Sequence, residues 1–302
     1  MAEGPDTDVI RAVPVRHWGR LVSAAVILLV AAWLVQAAIG SHFVDFTVVR
    51  RYLFSDLILE GLRNTIIISV LAQGAGIVLG VTFAVMRLSP NPVLSLSSSF
   101  YIWFFRGTPV LVQLLFWFNG VPGVFKTLTI AIPFTDVTLY STTMVSFMTP
   151  FMAAFLGLAL NEGAYMAEIV RAGILSVDEG QADAAHALGM TSAKTMRRIV
   201  LPQAMRVIIP PTGNEFISML KTSSLASVVL YGELLRRAGD IYSRNLAVIE
   251  LLIVASFWYL LLTSIASVGQ YYLERRFSRG RARALPETPL QRIRRNLGRT
   301  PR

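Results

Sequence analysis

Charged side chains lie inside stretches of sequence that are otherwise apolar. Glu215 and Lys221 fall within the stretch 207–230, and Arg106 interrupts the stretch 93–118. Charges at membrane depth are costly, so they usually face a bundle interior or a water-filled path. A carboxylate and two cations at such depth would suit binding of a charged solute or coupling to an ion. A membrane enzyme is not supported, because the sequence shows no nucleophile–base or metal-ligand constellation.

The spacing of these residues decides which of them share a helix face. Glu215 and Lys221 are six residues apart, about 240° around a helix, so they do not pair along one face. Asn214 and Lys221 are seven apart and share a face, and so do Glu215 and Thr222. The sequence therefore predicts two polar faces on this helix.

Each charge also has a structural interpretation, which the sequence leaves open. Glu215 could brace its helix by accepting a hydrogen bond from a neighbour, and Lys221 could extend its charge to the membrane surface. Arg106 precedes Gly107-Thr108-Pro109 and could hold that bend by donating to a nearby carbonyl.

The elements that must position these residues are membrane helices. Of the 302 residues, 54% are hydrophobic and 15% are charged, and the mean hydropathy is +0.57. Soluble domains carry about 25% charged residues, so a soluble enzyme is excluded. The chain contains no cysteine, which rules out disulfides and thiolate catalysis. Its three histidines are isolated in sequence, so no metal site is expected.

Six apolar stretches are long enough to cross about 30 Å of hydrocarbon. The predicted spans are residues 21–39, 65–86, 93–118, 137–160, 207–230 and 251–268. The first is too long for a signal peptide and lacks a clear cleavage site, so we expect it to be retained. The predicted fold is an all-α integral membrane protein with six transmembrane helices.

Basic residues orient the predicted bundle. Six spans place both termini on one side, and most basic residues fall there: Arg11, Arg16, Arg20, Arg87, Arg171, Lys194, Arg197, Arg198 and those of the tail. Exceptions on the other side are Arg50, Arg51, Lys126, Arg236, Arg237 and Arg244. The excess makes the shared side cytoplasmic. The net charge of +10 is thus a topology signal, with the tail near anionic lipid, and no nucleic-acid partner is expected.

A long predicted cytoplasmic loop, residues 161–205, joins the fourth and fifth spans. Residues 164–176 and 181–200 are predicted to be helical, with Gly189 interrupting the second helix and Pro202 ending it. A long, ordered loop of this kind is usually functional.

This loop carries a spaced motif. Its residues are Asp183, Ala184 and Ala185, then Gly189 after three residues, Ile199 after nine more, and Leu201 and Pro202 after one more. The spacing resembles the EAA loop of the membrane subunits of bacterial ATP-binding-cassette (ABC) importers. Asp183 stands where that family usually has glutamate, which keeps the carboxylate. The resemblance implies a coupling helix that docks into a groove on a cytoplasmic ATPase.

Further motifs narrow the resemblance. They are Arg106-Gly107-Thr108-Pro109, residues 164–168, Gly180-Gln181, residues 201–204, residues 213–217 and residues 220–225. Together they look like the polar amino acid (His/Glu/Gln/Arg/opine) permease family, over residues 57–277. Most members have five spans, so the fold becomes a five-helix permease core plus one N-terminal helix.

The resemblance also divides the chain. Residues 1–20 form a cytoplasmic N-terminus, 21–56 the extra helix with an external loop, and 57–277 the permease domain with coupling loop 176–202. Residues 278–302 form a basic cytoplasmic tail.

The resemblance implies a machine of several chains in the bacterial cytoplasmic membrane. Its partners are an ATPase dimer, a second permease subunit that is identical or paralogous, and an extracytoplasmic amino-acid-binding protein. This chain has no phosphate-binding loop, so ATP and Mg²⁺ belong to the ATPase, and no cofactor is expected here.

The implied substrate needs an acceptor for its ammonium group and a donor for its carboxylate group. Glu215 could supply the acceptor and Lys221 or Arg106 the donor, with Asn161 and Glu162 as weaker candidates. The alternative is an ion-coupled secondary transporter or channel that works without an ATPase. The absence of a convincing internal repeat weakens that alternative.

Overall fold

The computed structural model describes residues 18–40, 44–132, 135 and 137–277. The α-helices are, in chain order, α1 (Trp18–Gly40), α2 (Phe46–Tyr52), α3 (Asp56–Arg87), α4 (Pro92–Gly107), α5 (Val110–Leu115), α6 (Val121–Val124), α7 (Met144–Phe147), α8 (Pro150–Leu175), α9 (Glu179–Ala187), α10 (Ser192–Thr195), α11 (Leu201–Thr222), α12 (Leu234–Asn245) and α13 (Val248–Phe277). The strands are β1 (Thr127–Ala131) and β2 (Thr138–Thr143). Phe116–Gly120 and Met196–Val200 are π-helical turns, and Ser223–Val229 is a 3₁₀ helix.

The part of the chain that the structure describes divides into two compact units, with the boundary between Val48 and Val49. In the first, α1 is a single apolar helix that covers the predicted span 21–39. Whether α1 crosses a membrane stays a prediction. The predicted basic tail and most of the predicted cytoplasmic N-terminus lie outside the described residues.

The centre of the second unit is the parallel pair α3 and α8, which makes the most extensive helix contact. Two glycines one turn apart on α3 allow this approach. A Cβ at Gly76 would lie 2.5 Å from Cγ of Glu162, and one at Gly80 would lie 2.3 Å from Cβ of Met166. Small residues at this spacing let helix backbones approach closely, so side chains of α8 rest directly on the α3 backbone.

The predicted third span is broken. α4 and the helical segment Val110–Val124 meet at a bend of 102°. The amide of Gln113 donates hydrogen bonds to the carbonyls of Phe105 (3.0 Å) and Thr108 (3.1 Å), and the amide of Asn161 donates to the same Phe105 carbonyl (2.8 Å). Two neutral amides thus satisfy the carbonyls freed by the bend, a role that Arg106 was a candidate to fill.

The predicted fourth span, residues 137–160, is wrong in its first half. Strand β2 and the short helix α7 occupy that half, and β2 pairs antiparallel with β1, with Thr127 opposite Thr143. The fold is mostly helical, as predicted, with this two-stranded sheet as the departure from an all-α protein. Threonine and tyrosine are uncharged yet favour strands, and the helix starts only at Pro150, where Thr149 caps it by accepting from the Met152 N–H.

The predicted cytoplasmic loop 161–205 begins too early. Helix α8 continues without a break to Leu175, so Asn161 and Glu162 lie near its middle and 164–176 is not a separate helix. Glu162 is only 5% exposed. A charge that faces the bundle interior does not mark the end of a span, which is why the boundary was misplaced.

Pro202 does not end a helix, contrary to prediction. Helix α10, the π turn Met196–Val200 and α11 follow one another without a gap, and Pro202 lies in the first turn of α11. Proline is tolerated there because the preceding turn is π-helical: the Leu201 N–H donates to the Met196 carbonyl, five residues earlier, so the regular i→i−4 pattern is already interrupted at this point.

A hydrogen bond also links α11 to α13. The side-chain amide of Gln270 on α13 donates to the carbonyl of Pro210 inside α11 (2.7 Å).

By length and composition, two described helices can cross a membrane, α3 and α13, and a third if the bent pair is one span. Helices α8 and α11 have 26 and 22 residues, enough for about 30 Å of hydrocarbon, but they carry the polar residues of the interior. The fold is thus mostly helical, and the count of six spans stays a prediction.

Candidate functional site

A cavity of about 460 Å³ lies where the broken helix α4–α5 faces α8 and α11. Its volume is in the range of small-molecule sites. The polar side chains that line it are Arg106, Thr108, Asn161, Glu162, Tyr165, Glu215, Ser218 and Thr222. The bend at residues 107–109 opens the cavity, because it turns the chain away from the path of α4 and leaves space beside α8.

Two carboxylates face this cavity from different helices. Glu162 comes from α8 and is 5% exposed, and one of its oxygens accepts a hydrogen bond from the amide of Gln73 (3.0 Å). Glu215 comes from α11 and is half-buried. The two lie close enough for the charge of one to act on the other. Two like charges held together attract a cation into the space between them.

One guanidinium group lines the same cavity as the carboxylates. Arg106, in the last turn of α4, stacks its guanidinium over the ring of Tyr165 at 5.2 Å from the ring centroid. Its charge also acts on Glu215. A cation–π contact orients the guanidinium while leaving its N–H donors available for a ligand carboxylate. The cavity can therefore hold both an anionic and a cationic group of one small molecule.

Helix α9 lies beyond the C-terminal end of α8 and forms a second candidate surface. The Asp178 side chain caps it by accepting from the Gly180 N–H (2.8 Å). The helix ends in a Schellman motif, in which Gly189 has φ of +78° and the Met190 N–H donates to the Ala185 carbonyl (3.0 Å). A residue with a Cβ rarely adopts this φ, so glycine specifies the turn.

The exposed face of α9 is only partly the predicted one. Asp183 and Ala184 are exposed, whereas Ala185 is 4% exposed and packs inside the chain. Leu188 is 84% exposed at the end of the helix. A large apolar side chain left so open next to a capped turn is typical of a contact surface.

The remaining residues of the spaced motif connect α9 to α11. Ile199 lies in the π turn and is partly buried, and its carbonyl accepts from the amide of Gln203 (3.0 Å). Leu201 and Pro202 are exposed at the start of α11. Because α10, the π turn and α11 are continuous, this segment joins the α9 turn to the helix that carries Glu215.

Comparison with known families decides the class. Residues 76–279 match the family described as binding-protein-dependent transport system inner membrane component. The chain belongs to this family. The matched region contains the cavity residues, helix α9 and the segment that joins them.

Individual relatives agree with this assignment. The permease is 48% identical to the arginine transport system permease protein ArgU of Corynebacterium glutamicum, over 91% of this chain and 85% of the relative. It is 39% identical to the L-cystine transport system permease protein TcyB of Bacillus subtilis, over 75% and 88%.

A solved structure described as an amino acid ABC transporter with histidines matches with a TM-score of 0.66 and 37% identity, over 77% of this chain and 99% of that one. The chain is therefore the permease component of an amino-acid ABC importer, and ATP hydrolysis resides in a separate subunit.

The permease brings together five of the seven residues predicted to touch substrate. They are Arg106, Asn161, Glu162, Glu215 and Thr222. The other two, Asn214 and Lys221, are exposed on another face of α11 and do not line the cavity. The seven-residue spacing placed Glu215 with Thr222 and Asn214 with Lys221, and both pairs do share a face.

Three polar residues that line the cavity were missed in the sequence, Thr108, Tyr165 and Ser218, and so was Gln73, which binds Glu162 from behind. Ser218 lies between Glu215 and Thr222 on one face of α11, so helical spacing was a usable signal. Tyr165 follows Glu162 by three residues, and the same signal applies. Gln73 lies on α3, far away in sequence, and nothing local links it to Glu162.

Proposed function

We propose that this permease imports amino acids with a cationic side chain, such as arginine, and that the cavity binds them on their way inward. The proposal rests on the charged side chains that line the cavity, which are two carboxylates, Glu162 and Glu215, and one guanidinium, Arg106. The substrate α-carboxylate would bind Arg106. Its α-ammonium group would bind Glu215, and its side-chain cation would bind Glu162.

Charge balance favours this substrate class over neutral amino acids. A neutral amino acid would leave Glu162 without a cation, and an unpaired charge is costly on a side chain that is only 5% exposed. The 48% identity to a protein named as an arginine permease supports the same class. Asn161, whose amide holds the bend, and Thr222 would complete the wall around the substrate.

Glu215→Gln is expected to weaken arginine binding about tenfold, because it replaces a charged acceptor by a neutral one. The measurement is binding of radiolabelled arginine, and of its neutral analogue citrulline, to the permease–ATPase complex in nanodiscs. The binding protein is left out of the assay, so that the measured preference between arginine and citrulline is that of the permease itself. The variant should bind citrulline more weakly by the same factor, because citrulline carries the same α-ammonium group as arginine.

A matched control is Glu168→Gln on α8, where Glu168 pairs with Arg171 at 2.7 Å outside the cavity. This variant should bind arginine normally. Equal wild-type affinities for arginine and citrulline would contradict the proposed substrate class.

The second proposed surface couples the permease to ATP hydrolysis. Asp183, Ala184 and Leu188 on the exposed face of α9 would dock into the ATPase, with Ala185 packing the helix onto its own chain. Gly189 would set the turn, and the segment that contains Ile199, Leu201 and Pro202 would transmit the movement to α11. ATP and Mg²⁺ would bind in the ATPase, with no cofactor in this chain.

The topology completes the proposal. We place both termini in the cytoplasm of a bacterial cell, with six spans across its inner membrane, the permease domain at 57–277 and a lipid-associated tail at 278–302. The β1–β2 hairpin, at the opposite end of α8 from α9, would face the binding protein. A second permease subunit, a copy or a paralogue, would cover Asn214 and Lys221 and close the pathway.

No finding favours the ion-coupled transporter or channel. A transporter of that kind would move substrate alone, whereas the family works with a separate ATPase. Uptake by vesicles that contain only this chain would overturn the assignment of the driving force.

A further inference from the structure

We infer that Gln73 is a positioning residue that sets the selectivity for cationic substrates by orienting the carboxylate of Glu162. The inference rests on the proposed function, because it assumes that Glu162 contacts the substrate. Gln73 itself does not line the cavity and lies on α3, behind Glu162.

The contact between the two side chains is buried and specific. Gln73 and Glu162 are each 5% exposed, and Nε2 of Gln73 donates a hydrogen bond to Oε1 of Glu162 at 3.0 Å. Among the described residues, Oε2 of Glu162 accepts no hydrogen bond. One carboxylate oxygen is therefore held by α3, while the other remains available to a ligand in the cavity.

A second contact on α3 holds the stem of Glu162. Gly76 lies one turn beyond Gln73, and a Cβ there would be 2.5 Å from Cγ and 2.8 Å from Cβ of Glu162. The glutamate stem thus rests on bare backbone, with the amide of Gln73 at its tip. Stem and tip together leave the carboxylate little rotational freedom, as preorganised binding of a cation requires.

Gln73 is suited to orienting Glu162 because its side chain is uncharged. An amide donor orients a carboxylate without cancelling its charge, whereas a lysine or arginine at this position would neutralise Glu162 and remove its attraction for a cation. The oxygen Oε1 of Gln73 has no partner among the described residues, so Glu162 is the only group that its amide is shown to bind.

The test is Gln73→Met, which keeps the length of the side chain and removes the donor. In nanodiscs with the ATPase and without the binding protein, arginine should bind about fivefold more weakly, while citrulline binding should not change. Gly76→Ala should reduce the same selectivity by displacing the stem of Glu162. If Gln73→Met does not assemble, Gln73→Asn, whose amide is one methylene shorter, carries the same test.

Ser69→Ala is the matched control. Ser69 lies one turn before Gln73 on the buried side of α3, and its hydroxyl has no partner among the described residues. This variant should keep the wild-type preference for arginine over citrulline.

The outcomes separate the inference from the proposed function. An equal loss of arginine and citrulline binding in Gln73→Met would show a merely structural role and overturn the inference. A preference lost in Glu162→Gln but kept in Gln73→Met would overturn the inference alone. A wild type without preference would overturn the proposed function.

Discussion

Replacing Gly189 with valine is expected to reduce ATP-driven arginine uptake by one to two orders of magnitude. The reason is conformational, because Gly189 has φ of +78° and a β-branched residue held there costs about 1–3 kcal/mol. Nothing lies within 4 Å of a Cβ at this position, so no steric clash contributes. The turn would open and Leu188 would leave its place on the coupling surface. Uptake and ATP hydrolysis by proteoliposomes measure the effect.

Gly189→Asn is the control for this prediction, because asparagine tolerates a left-handed conformation. It should retain most of the uptake. Both variants should bind arginine as the wild type does, since the cavity lies far along α11 from the turn. Normal uptake by Gly189→Val would show that the geometry of this turn does not matter for coupling.

Replacing Gly80 with leucine is expected to be the most damaging change to the fold. A Cβ at Gly80 would lie 2.3 Å from Cβ of Met166 and 2.9 Å from its backbone carbon, so α3 and α8 would have to separate. Overpacking of this kind costs about 3 kcal/mol, which corresponds to a fall in the unfolding temperature of roughly 10 °C. The measurement is thermal unfolding of the permease in detergent, together with arginine binding, which should be lost with the cavity.

Gly74 provides the matched control on the same helix. It is exposed, and a Cβ at this position would have no neighbouring atom within 4 Å, so Gly74→Leu should unfold near the wild-type temperature. Equal destabilisation by the two leucines would mean that the α3–α8 contact does not hold the permease together.

The charged residues of the cavity were largely predictable, because a charged side chain within an apolar stretch is costly unless it has a functional or structural role. Arg106 and Glu215 interrupt apolar stretches, and the cost of a charge at such depth predicts that they face a polar cavity, which both of them line. Lys221 satisfied the same criterion and yet lies exposed, outside the cavity. The spacing of residues along a helix determines which of them share a face, but it does not determine which face packs against another helix.

The errors in the elements have a similar origin. Residues 137–143 are uncharged and apolar enough to extend a span, but they pair with β1. A strand needs a partner elsewhere in the chain, and the hydropathy of a segment gives no information about which distant segment it pairs with. The buried Glu162 had the opposite effect, since it made the middle of α8 look like the start of a loop.

The sequence by itself determined the class of this protein. Its apolarity requires a membrane, and the spacing from Asp183 to Pro202 carries the resemblance to ABC importer subunits, because that motif is local and its turn requires glycine at one position. Only the tertiary structure decided which charges share a cavity, that two amides hold the bend, and that Gln73 orients Glu162. Those facts depend on contacts between helices far apart in sequence, and side-chain packing alone sets which faces meet.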